Sequence, residues 1–239
     1  MSYLDRITTG PKRGPRRTFL YGTHGIGKTT WAAKWPDPLL IDIEGGSGDI
    51  DATRISDFTG VKDIASVVHA TTDSDRFKTI VVDSIDWFEK MVQDELVADD
   101  FDDSFGKGTI EVGRVVSRLT GLLDKVIDSG KHVVILGHSH VKTVTRPDGS
   151  VWSRHEPRLT KYASAAVCEW SDELLFADVA VSVQTKQVGQ KKVSVGKSSS
   201  TRTLHTVGSA TYEAKHRANG LNDKYDLSDF DSYFSNLVA

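Results

Sequence analysis

The segment TFLYGTHGIGKTT (18–30) is the feature that most constrains the fold of this chain. The run TFLYGT predicts a short buried strand, and KTTWAAKW predicts a helix that ends at Pro36. Between them, residues 22–29 match G-x-x-x-x-G-K-[ST], a pattern whose glycines let successive backbone N–H groups surround phosphate oxygens. Because the pattern lies between a predicted strand and a predicted helix, we interpret it as a phosphate-binding loop.

The residues of this loop predict how it binds a nucleoside triphosphate. Lys28 adds a positive charge toward the β- and γ-phosphates, and the Thr29 hydroxyl can ligate Mg²⁺. ATP and Mg²⁺ are therefore the expected cofactors. Nothing in the pattern explains a histidine at position 24. The predicted nucleotide-binding residues are Gly22, Thr23, His24, Gly25, Ile26, Gly27, Lys28, Thr29, Thr30 and Asp83.

Further apolar runs predict more strands of a parallel sheet. Apolar strands separated by helices indicate an α/β fold with a mostly parallel sheet covered on both faces. After residue 140, alternating segments joined by Gly/Ser-rich turns predict a β-rich C-terminal part in the same domain, with GKSSST (196–201) as a flexible turn. The predicted strands span 39–44, 78–85 and 132–139, and the predicted helices span 86–98 and 110–128.

Composition and charge indicate the cellular compartment that suits the chain. The 239 residues carry a net charge of −3 and one cysteine, Cys168, which excludes an intramolecular disulfide and suits a reducing cytoplasm. No apolar run is long enough to span a membrane, so we expect a cytoplasmic protein with no membrane partner. Charge is segregated, and we divide the chain into a basic segment 1–17, a core 18–222 and an acidic tail 223–239.

Acidic residues follow two of the predicted strands. Asp83 ends a buried apolar run, where a charge is costly unless it is paired, and we predict that it holds Mg²⁺ together with Thr29. The next residue is Ser84, at the position where helicases and AAA+ motors usually carry a water-activating glutamate. Glu44, after the preceding strand, is the candidate general base, with Asp42 as its competitor and a simple surface charge as the alternative.

Two histidines, His138 and His140, end the next apolar strand. The carboxyl end of this strand lies at the same sheet edge as the phosphate loop, so we predict that His138 contacts the γ-phosphate and reports its presence to the following loop. Metal binding by the two histidines and a purely structural histidine are the alternatives.

The segment 141–163 is basic and contains aromatic residues. It has five basic residues against two acidic ones, and cations combined with flat rings suit the backbone and bases of single-stranded DNA. The alternative is a solvated hairpin with one packed tryptophan. The predicted DNA-binding residues are Lys142, Arg146, Trp152, Arg154, Arg158 and Lys161.

Lys215 and Arg217 lie two residues apart and would point to the same side of an extended segment. Such a pair can complete the site of a neighbouring subunit by contacting its γ-phosphate. A surface salt-bridge pair is the equally supported alternative. The acidic and aromatic tail could contact a single-strand-binding or replication protein, mask the DNA site or pack on the core, and the sequence does not rank these.

Taken in order, these motifs resemble the phage-encoded RecA-like ATPases, a family that includes the ATP-dependent single-strand annealing proteins. The resemblance covers about residues 16–222, and it implies a RecA-like P-loop NTPase core. The stretches that carry it are YGTHGIGKTT, DIEGG, VVDSIDW, SFGKG, VVILGHSHVKT, EWSDELLFADV and YEAKHRANGL.

The resemblance also implies roles for individual residues. RecA-type enzymes take their catalytic glutamate from the strand after the phosphate-loop helix, which matches Glu44, and RecA carries a glutamine sensor at the position of His138. The loop beyond that sensor binds DNA in RecA and matches 141–162, and a Lys-x-Arg pair acts across a subunit interface. The implied catalytic residues are Glu44, Lys28, His138, Lys215 and Arg217.

These interpretations predict an ATP-hydrolysing protein that forms a ring or filament and binds single-stranded DNA. The resemblance implies a role in phage recombination, annealing or replication, in the cytoplasm of the host cell. One alternative is a small-molecule nucleotide or nucleoside kinase, for which TRPDGSVWSRHEPR would serve as a lid. Another is a non-catalytic, ATP-dependent loader or scaffold for replication proteins.

Overall fold

The structure is a computed structural model that describes residues 4, 7, 9, 10, 14–188 and 191–239. The side chains of 180–188 and 191–199 are outside this description. Much of the predicted basic segment 1–17 therefore lies outside the described residues.

The described residues form nine strands and six α-helices. The strands are β1 (Arg17–Gly22), β2 (Pro38–Asp42), β3 (Thr53–Ile55), β4 (Thr79–Asp83), β5 (His132–Thr145), β6 (Val151–Pro157), β7 (Glu173–Val188), β8 (Lys191–His205) and β9 (Lys224–Asp226). The helices are α1 (Lys28–Ala32), α2 (Val61–Thr72), α3 (Ile85–Ala98), α4 (Lys107–Asp128), α5 (Lys161–Trp170) and α6 (Phe230–Val238), with a 3₁₀ turn over Ser104–Gly106 before α4.

The described strands join into one nine-stranded sheet of order β3-β2-β4-β5-β1-β7-β8-β9, with β6 paired to β5. Strands β3, β2, β4, β5, β1 and β7 run parallel, and β8 and β9 are antiparallel additions. The prediction of a mixed α/β fold with a mostly parallel sheet is confirmed. The β-rich C-terminal part continues the same sheet, because β7 pairs directly with β1.

Alternating residues of the central strands pack into two cores, one on each face of the sheet. Phe19 and Tyr21 face helices α2 to α5, whereas Leu20, between them, faces α1 and α6. Successive side chains of a strand point to opposite faces, so a fully apolar strand can supply both cores. This burial is why the strands appear in the sequence as continuous apolar runs.

Residues 223–239 complete the second core. Phe230, Tyr233 and Leu237 of α6 are buried, and the rings of Phe230 and Tyr233 lie 5.5 and 5.2 Å from that of Trp31. Full burial of such a side chain contributes about 2–3 kcal/mol. Of the three possibilities for the tail, packing on the core accounts for its aromatic face, while Asp231 and its other acidic residues stay exposed.

Several local predictions were wrong. GKSSST (196–201) was predicted as a flexible turn but lies inside β8, where the ladder with β7 outweighs its weak strand preference. The strand predicted over 39–44 ends at Asp42, which places Glu44 in the following loop. Helices α2, α5 and α6 were not predicted.

Among the described residues, no helix has both the length and the apolar character required to cross a membrane.

A buried carboxyl at the start of β7 predicts a pH-dependent stability. Glu173 is fully buried, receives a hydrogen bond of 3.2 Å from the Thr18 hydroxyl and lies 2.9 Å from Arg16 Nη2. Burial raises the pKa of Glu173 to about 7, from an ordinary value of 4.5. The folded state therefore holds a proton that the unfolded state loses between these values, so this group makes stability fall as pH rises from about 4.5 to 7.

Glu173→Gln should remove that part of the pH dependence. The expected change is on the order of 3 kcal/mol across the window, because each unit of pKa corresponds to about 1.4 kcal/mol. Urea unfolding at several pH values measures it, and Glu169→Gln, at an exposed position of α5, is the matched control. An unchanged slope in Glu173→Gln would show that the buried carboxyl is already ionised at pH 5.

Candidate nucleotide site

The phosphate loop joins β1 to α1 at the carboxyl end of the sheet. Gly22 is required by close packing, since a Cβ there would lie 2.4 Å from the backbone oxygen of Ala177 in β7. Gly27 is required by conformation, because its φ of +104° lies in the left-handed region that side chains rarely adopt. These two glycines fix the loop between the sheet and the helix, and the side chains of His24 and Thr30 stay exposed.

Lys28 is buried at the base of the loop and has no acidic partner there. Its Nζ donates to the backbone oxygens of Gly22 at 3.3 Å and of Thr23 at 3.0 Å, and it forms no ion pair with any described residue. Burial lowers the pKa of Lys28, with nearby carboxylates acting in the opposite direction. A buried cation bonded only to carbonyl oxygens fits a loop whose phosphate would supply the missing negative charge.

Thr29 and Asp83 form the candidate Mg²⁺ site. The Thr29 hydroxyl donates to Asp83 Oδ2 at 2.7 Å, which joins the phosphate loop to the end of β4. Burial raises the pKa of Asp83 to about 6; the Thr29 hydrogen bond opposes the rise, and the charges of Glu44 and Asp42 add to it. A hydroxyl together with a carboxylate is a donor set that Mg²⁺ takes beside phosphates, so Thr29 and Asp83 fit this metal.

Asp42 organises the loop that carries Glu44. Its Oδ1 accepts from the backbone N–H groups of Gly45 and Gly46 at 2.8 and 3.3 Å, and its Oδ2 accepts from the N–H and hydroxyl of Ser47 at 3.1 and 2.6 Å. Four hydrogen bonds already occupy the oxygens of this buried carboxylate, so it has little capacity left to bind an attacking water molecule. Between the two candidates for a general base, the geometry therefore favours Glu44.

Glu44 lies beside His138, the last residue of β5 that pairs with β1. Its side chain is 27% exposed, and its Oε2 lies 3.9 Å from Nε2 of the buried His138. Its backbone N–H donates to the carbonyl oxygen of Asp83 at 3.2 Å, which ties the Glu44 loop to the end of β4. The carboxylate is thus held at the same edge as the phosphate loop while remaining accessible to water.

His138 belongs to a cluster that the sequence did not predict. Asp86, buried at the start of α3, accepts from the backbone N–H of His138 at 3.1 Å and lies 2.8 Å from its Nδ1. The same carboxylate accepts from Arg158 Nη2 at 2.5 Å. Burial raises the pKa of Asp86, but the bonds from His138 and Arg158 outweigh it and hold the pKa well below its usual range. His24 stacks on His138 with ring centroids 3.8 Å apart.

His24, Glu44 and His138 also present ligand atoms within 4.8 Å of one another, a group that could hold a metal ion. The sequence had suggested His138 and His140 as an alternative metal-binding pair, but His140 is exposed in the part of β5 that pairs with β6. Arg158 Nη1 lies 3.4 Å from His24 Nε2, so a fixed positive charge adjoins this group. That charge favours a terminal phosphate over a second cation at this position.

Comparison with known proteins classifies the chain. Residues 14–218 match a family model described as an AAA domain. The chain belongs to this family. Its membership confirms the predicted P-loop ATPase class and supports ATP binding, while phage origin stays a prediction.

Two further comparisons add little about function. A search among curated proteins found no match. One similar solved structure is that of a KaiC-like protein from the hyperthermophilic archaeon Pyrococcus horikoshii OT3, with a TM-score of 0.49 and 12% identity over 89% of this chain and 85% of that chain. At these values the similarity carries no argument about function.

In this AAA-domain protein, Lys215 and Arg217 lie far from the phosphate loop of their own chain. Arg217 forms an ion pair of 3.0 Å with Asp172, and Lys215 pairs through its backbone with Leu174, near the amino ends of the parallel strands. A strand rises about 3.3 Å per residue, so the Asp172 end of the sheet, opposite Arg17, lies about 16 Å from the loop, and Leu174, opposite Phe19, lies about 10 Å from it. Any contact of Arg217 with a γ-phosphate would therefore be made in another subunit.

The predicted DNA-binding residues of this AAA-domain protein lie in different surroundings. Strands β5 and β6 form the predicted hairpin, on which Lys142 pairs with Glu156 at 3.2 Å and Arg154 with Glu213 at 2.8 Å. Arg146 lies over the Trp152 ring at 4.9 Å. Lys161, at the start of α5, lies over the Tyr162 ring, and Arg158 lies in the nucleotide site instead of on the hairpin surface.

Two residues near the loop were missed or underrated by sequence reasoning. Asp86 belongs to VVDSIDW, but its partners lie 52 and 72 positions away, so no local pattern shows its role. Arg202 was given no role from the sequence, yet its Nη1 donates to the backbone oxygen of Ile26 at 3.1 Å. Only the pairing of β7 with β1 and β8 could have indicated that β8 reaches the phosphate loop.

Asp42→Asn should destabilise the protein through the Glu44 loop. The side-chain oxygen of Asn can accept either from Gly45 and Gly46 or from Ser47. Its NH₂ group would then face the remaining donors. Leaving buried donors without partners costs roughly 1–3 kcal/mol, which urea unfolding measures. Asp49→Asn, at an exposed position of the same loop, is the control, and equal unfolding midpoints for the two variants would contradict the role assigned to Asp42.

Proposed function

We propose that this AAA-domain protein hydrolyses ATP with Glu44 as the general base. The position of Glu44 carries the proposal, because its carboxylate adjoins His138 at the same strand edge as Lys28 and Asp83. Ser84 has no carboxylate that could act as a base. The oxygens of Asp42 are already occupied by hydrogen bonds from Gly45 and Ser47. Among the residues that the structure describes, Glu44 is thus the carboxylate at this edge whose side chain is accessible to water and makes no hydrogen bond.

In the proposed reaction, Lys28 pairs with the β- and γ-phosphates of ATP, and Thr29 and Asp83 hold Mg²⁺. When bound, Mg²⁺ would draw negative charge from the phosphate oxygens. Glu44 accepts a proton from a water molecule whose oxygen bonds to the γ-phosphorus while the bond to ADP breaks. His138 is oriented by Asp86 and adjoins Glu44, and it would contact the terminal phosphate.

Glu44→Gln should lower the rate of ATP hydrolysis by at least about a hundredfold, the usual contribution of a general base. ATP affinity should stay within about threefold, because the phosphate and metal contacts lie on other residues. Phosphate release and binding of a fluorescent ATP analogue measure the two effects, with Glu169→Gln as control. Unchanged hydrolysis would remove Glu44 from the role, and transfer of phosphate to a nucleoside would favour a kinase.

We further propose that the protein binds single-stranded DNA through the β5–β6 hairpin, in phage recombination, annealing or replication. Support comes from the exposed cations Lys142 and Arg146 and from Trp152 beside Arg146. The hairpin is also rooted in the nucleotide site, since β5 leaves the core sheet at His138. ATP state and DNA binding would therefore be coupled through the ends of the two hairpin strands.

Assembly into a ring or filament is part of the same proposal. Arg217 lies at the sheet edge opposite its own phosphate loop, which suits a contact with the nucleotide of an adjacent subunit. A replication protein that contacts the acidic tail, and a cytoplasmic location, stay predictions. A protein that sediments as a monomer with both ATP and single-stranded DNA present would exclude the assembly.

Binding of an oligonucleotide should be tighter with ATP than with ADP or without nucleotide. Arg146→Ala should weaken binding in all three states and reduce the slope of log affinity against log salt concentration by about 0.7, the value for one lost phosphate contact. Fluorescence anisotropy measures both, with Arg114→Ala on α4 as the control. Equal affinity in all three states would contradict the coupling, and absence of binding would contradict the DNA proposal.

A further inference from the structure

The geometry points to Arg158 and His24 as ligands of the terminal phosphate of ATP, supplied by the same chain that carries the phosphate loop. This inference rests on the ATP binding proposed above. It assigns a function to His24, which the loop pattern left unexplained. It also moves Arg158 from the DNA-binding set to the nucleotide site.

The backbone fixes Arg158 at the mouth of the site. Arg158 follows directly after β6, and its N–H donates to the carbonyl oxygen of His138 at 2.8 Å. In the sheet, His138 lies opposite Gly22, the first residue of the phosphate loop. Arg158 is therefore held across the end of β5, one strand from the loop.

The side chain of Arg158 is oriented but not saturated. Its Nη2 is bonded to Asp86 at 2.5 Å, its Nη1 lies 3.4 Å from His24 Nε2, and the side chain is 47% exposed. A guanidinium has five N–H donors in a planar fork that matches phosphate oxygens, so several donors remain open toward the loop. Asp86 acts as a positioning residue, since it holds Arg158 and His138 with one buried carboxylate.

His24 completes the arrangement from the loop itself. It is exposed, and its ring stacks on that of His138. If Nε2 accepts from Arg158, Nδ1 carries the proton and can donate to a phosphate oxygen. The loop, the end of β5 and the residue after β6 thus converge on one point.

A terminal phosphate bound at this point is present in ATP and absent from ADP. Lys28 lies at the base of the loop and reaches the phosphates of both nucleotides, whereas Arg158 and His24 lie at the mouth, beside Glu44. Arg217 is held at the opposite sheet edge by Asp172 and cannot take this role within the chain. Both hairpin strands end on this cluster, at His138 and Arg158, so a terminal phosphate bound there would contact both ends of the hairpin together.

The experiment compares the affinities of the full chain for fluorescent ATP and ADP analogues with Mg²⁺. Arg158→Ala should weaken ATP binding by about tenfold or more, the usual effect of removing a charged hydrogen bond, and change ADP binding by less than about twofold. Arg158→Lys, which can still pair with Asp86, should lose ATP affinity to a smaller extent, and His24→Ala should act in the same direction. Arg114→Ala, an exposed arginine paired with Glu111, is the matched control.

An ATP-to-ADP affinity ratio that stays at the wild-type value in Arg158→Ala and Arg158→Lys would overturn the inference. Weaker oligonucleotide binding in every nucleotide state, with that ratio intact, would return Arg158 to the DNA-binding set and overturn it as well. If Arg158→Ala does not fold, the ratio in Arg158→Lys and His24→Ala decides. Failure of the wild-type chain to bind ATP would instead remove the proposed function itself.

Discussion

The parallel register of the central strands is the constraint on which the candidate site depends. Asp42 lies opposite Asp83, and Gly22 lies opposite His138, so residues more than a hundred positions apart meet at one sheet edge. Neighbouring strands are about 4.8 Å apart, which brings their terminal side chains into contact range. A slip of one residue would turn a terminal side chain to the other face, so the two apolar cores that fix the register also fix the site.

The charged groups of the site differ in how fully their neighbours compensate their charge, and this difference distinguishes structural carboxylates from groups that could bind a ligand. Asp86 is paired with His138 and Arg158, and Asp42 is surrounded by donors, so both are complete without any bound group. Asp83 and Lys28 are buried with fewer partners, and burial shifts the pKa of each toward its neutral form. An incompletely compensated pair of opposite sign beside a glycine loop is what a metal–phosphate ligand would satisfy.

The sequence predicted the strands and helices whose apolar residues are continuous or strongly periodic, and with them the edge that gathers Lys28, Asp83, Glu44 and His138. It did not predict α5, because its few buried positions, Ala163 and Val167, follow directly on a basic hairpin. The role of Asp86 was also beyond reach, since its partners come from β5 and from the residue after β6. Local patterns show which residues share a strand, whereas such networks depend on how the strands and the segments that follow them meet.

The short helix after the phosphate loop has a consequence for folding during synthesis. Helix α1 has five residues, too few to persist in isolation, and its Trp31 is buried by Phe230 and Tyr233. The core behind the loop therefore cannot close until residues about two hundred positions downstream have left the ribosome. Until then a nascent chain would expose Trp31 and Trp35 and would lack a rigid nucleotide site, so ATP could not assist the early stages of its folding.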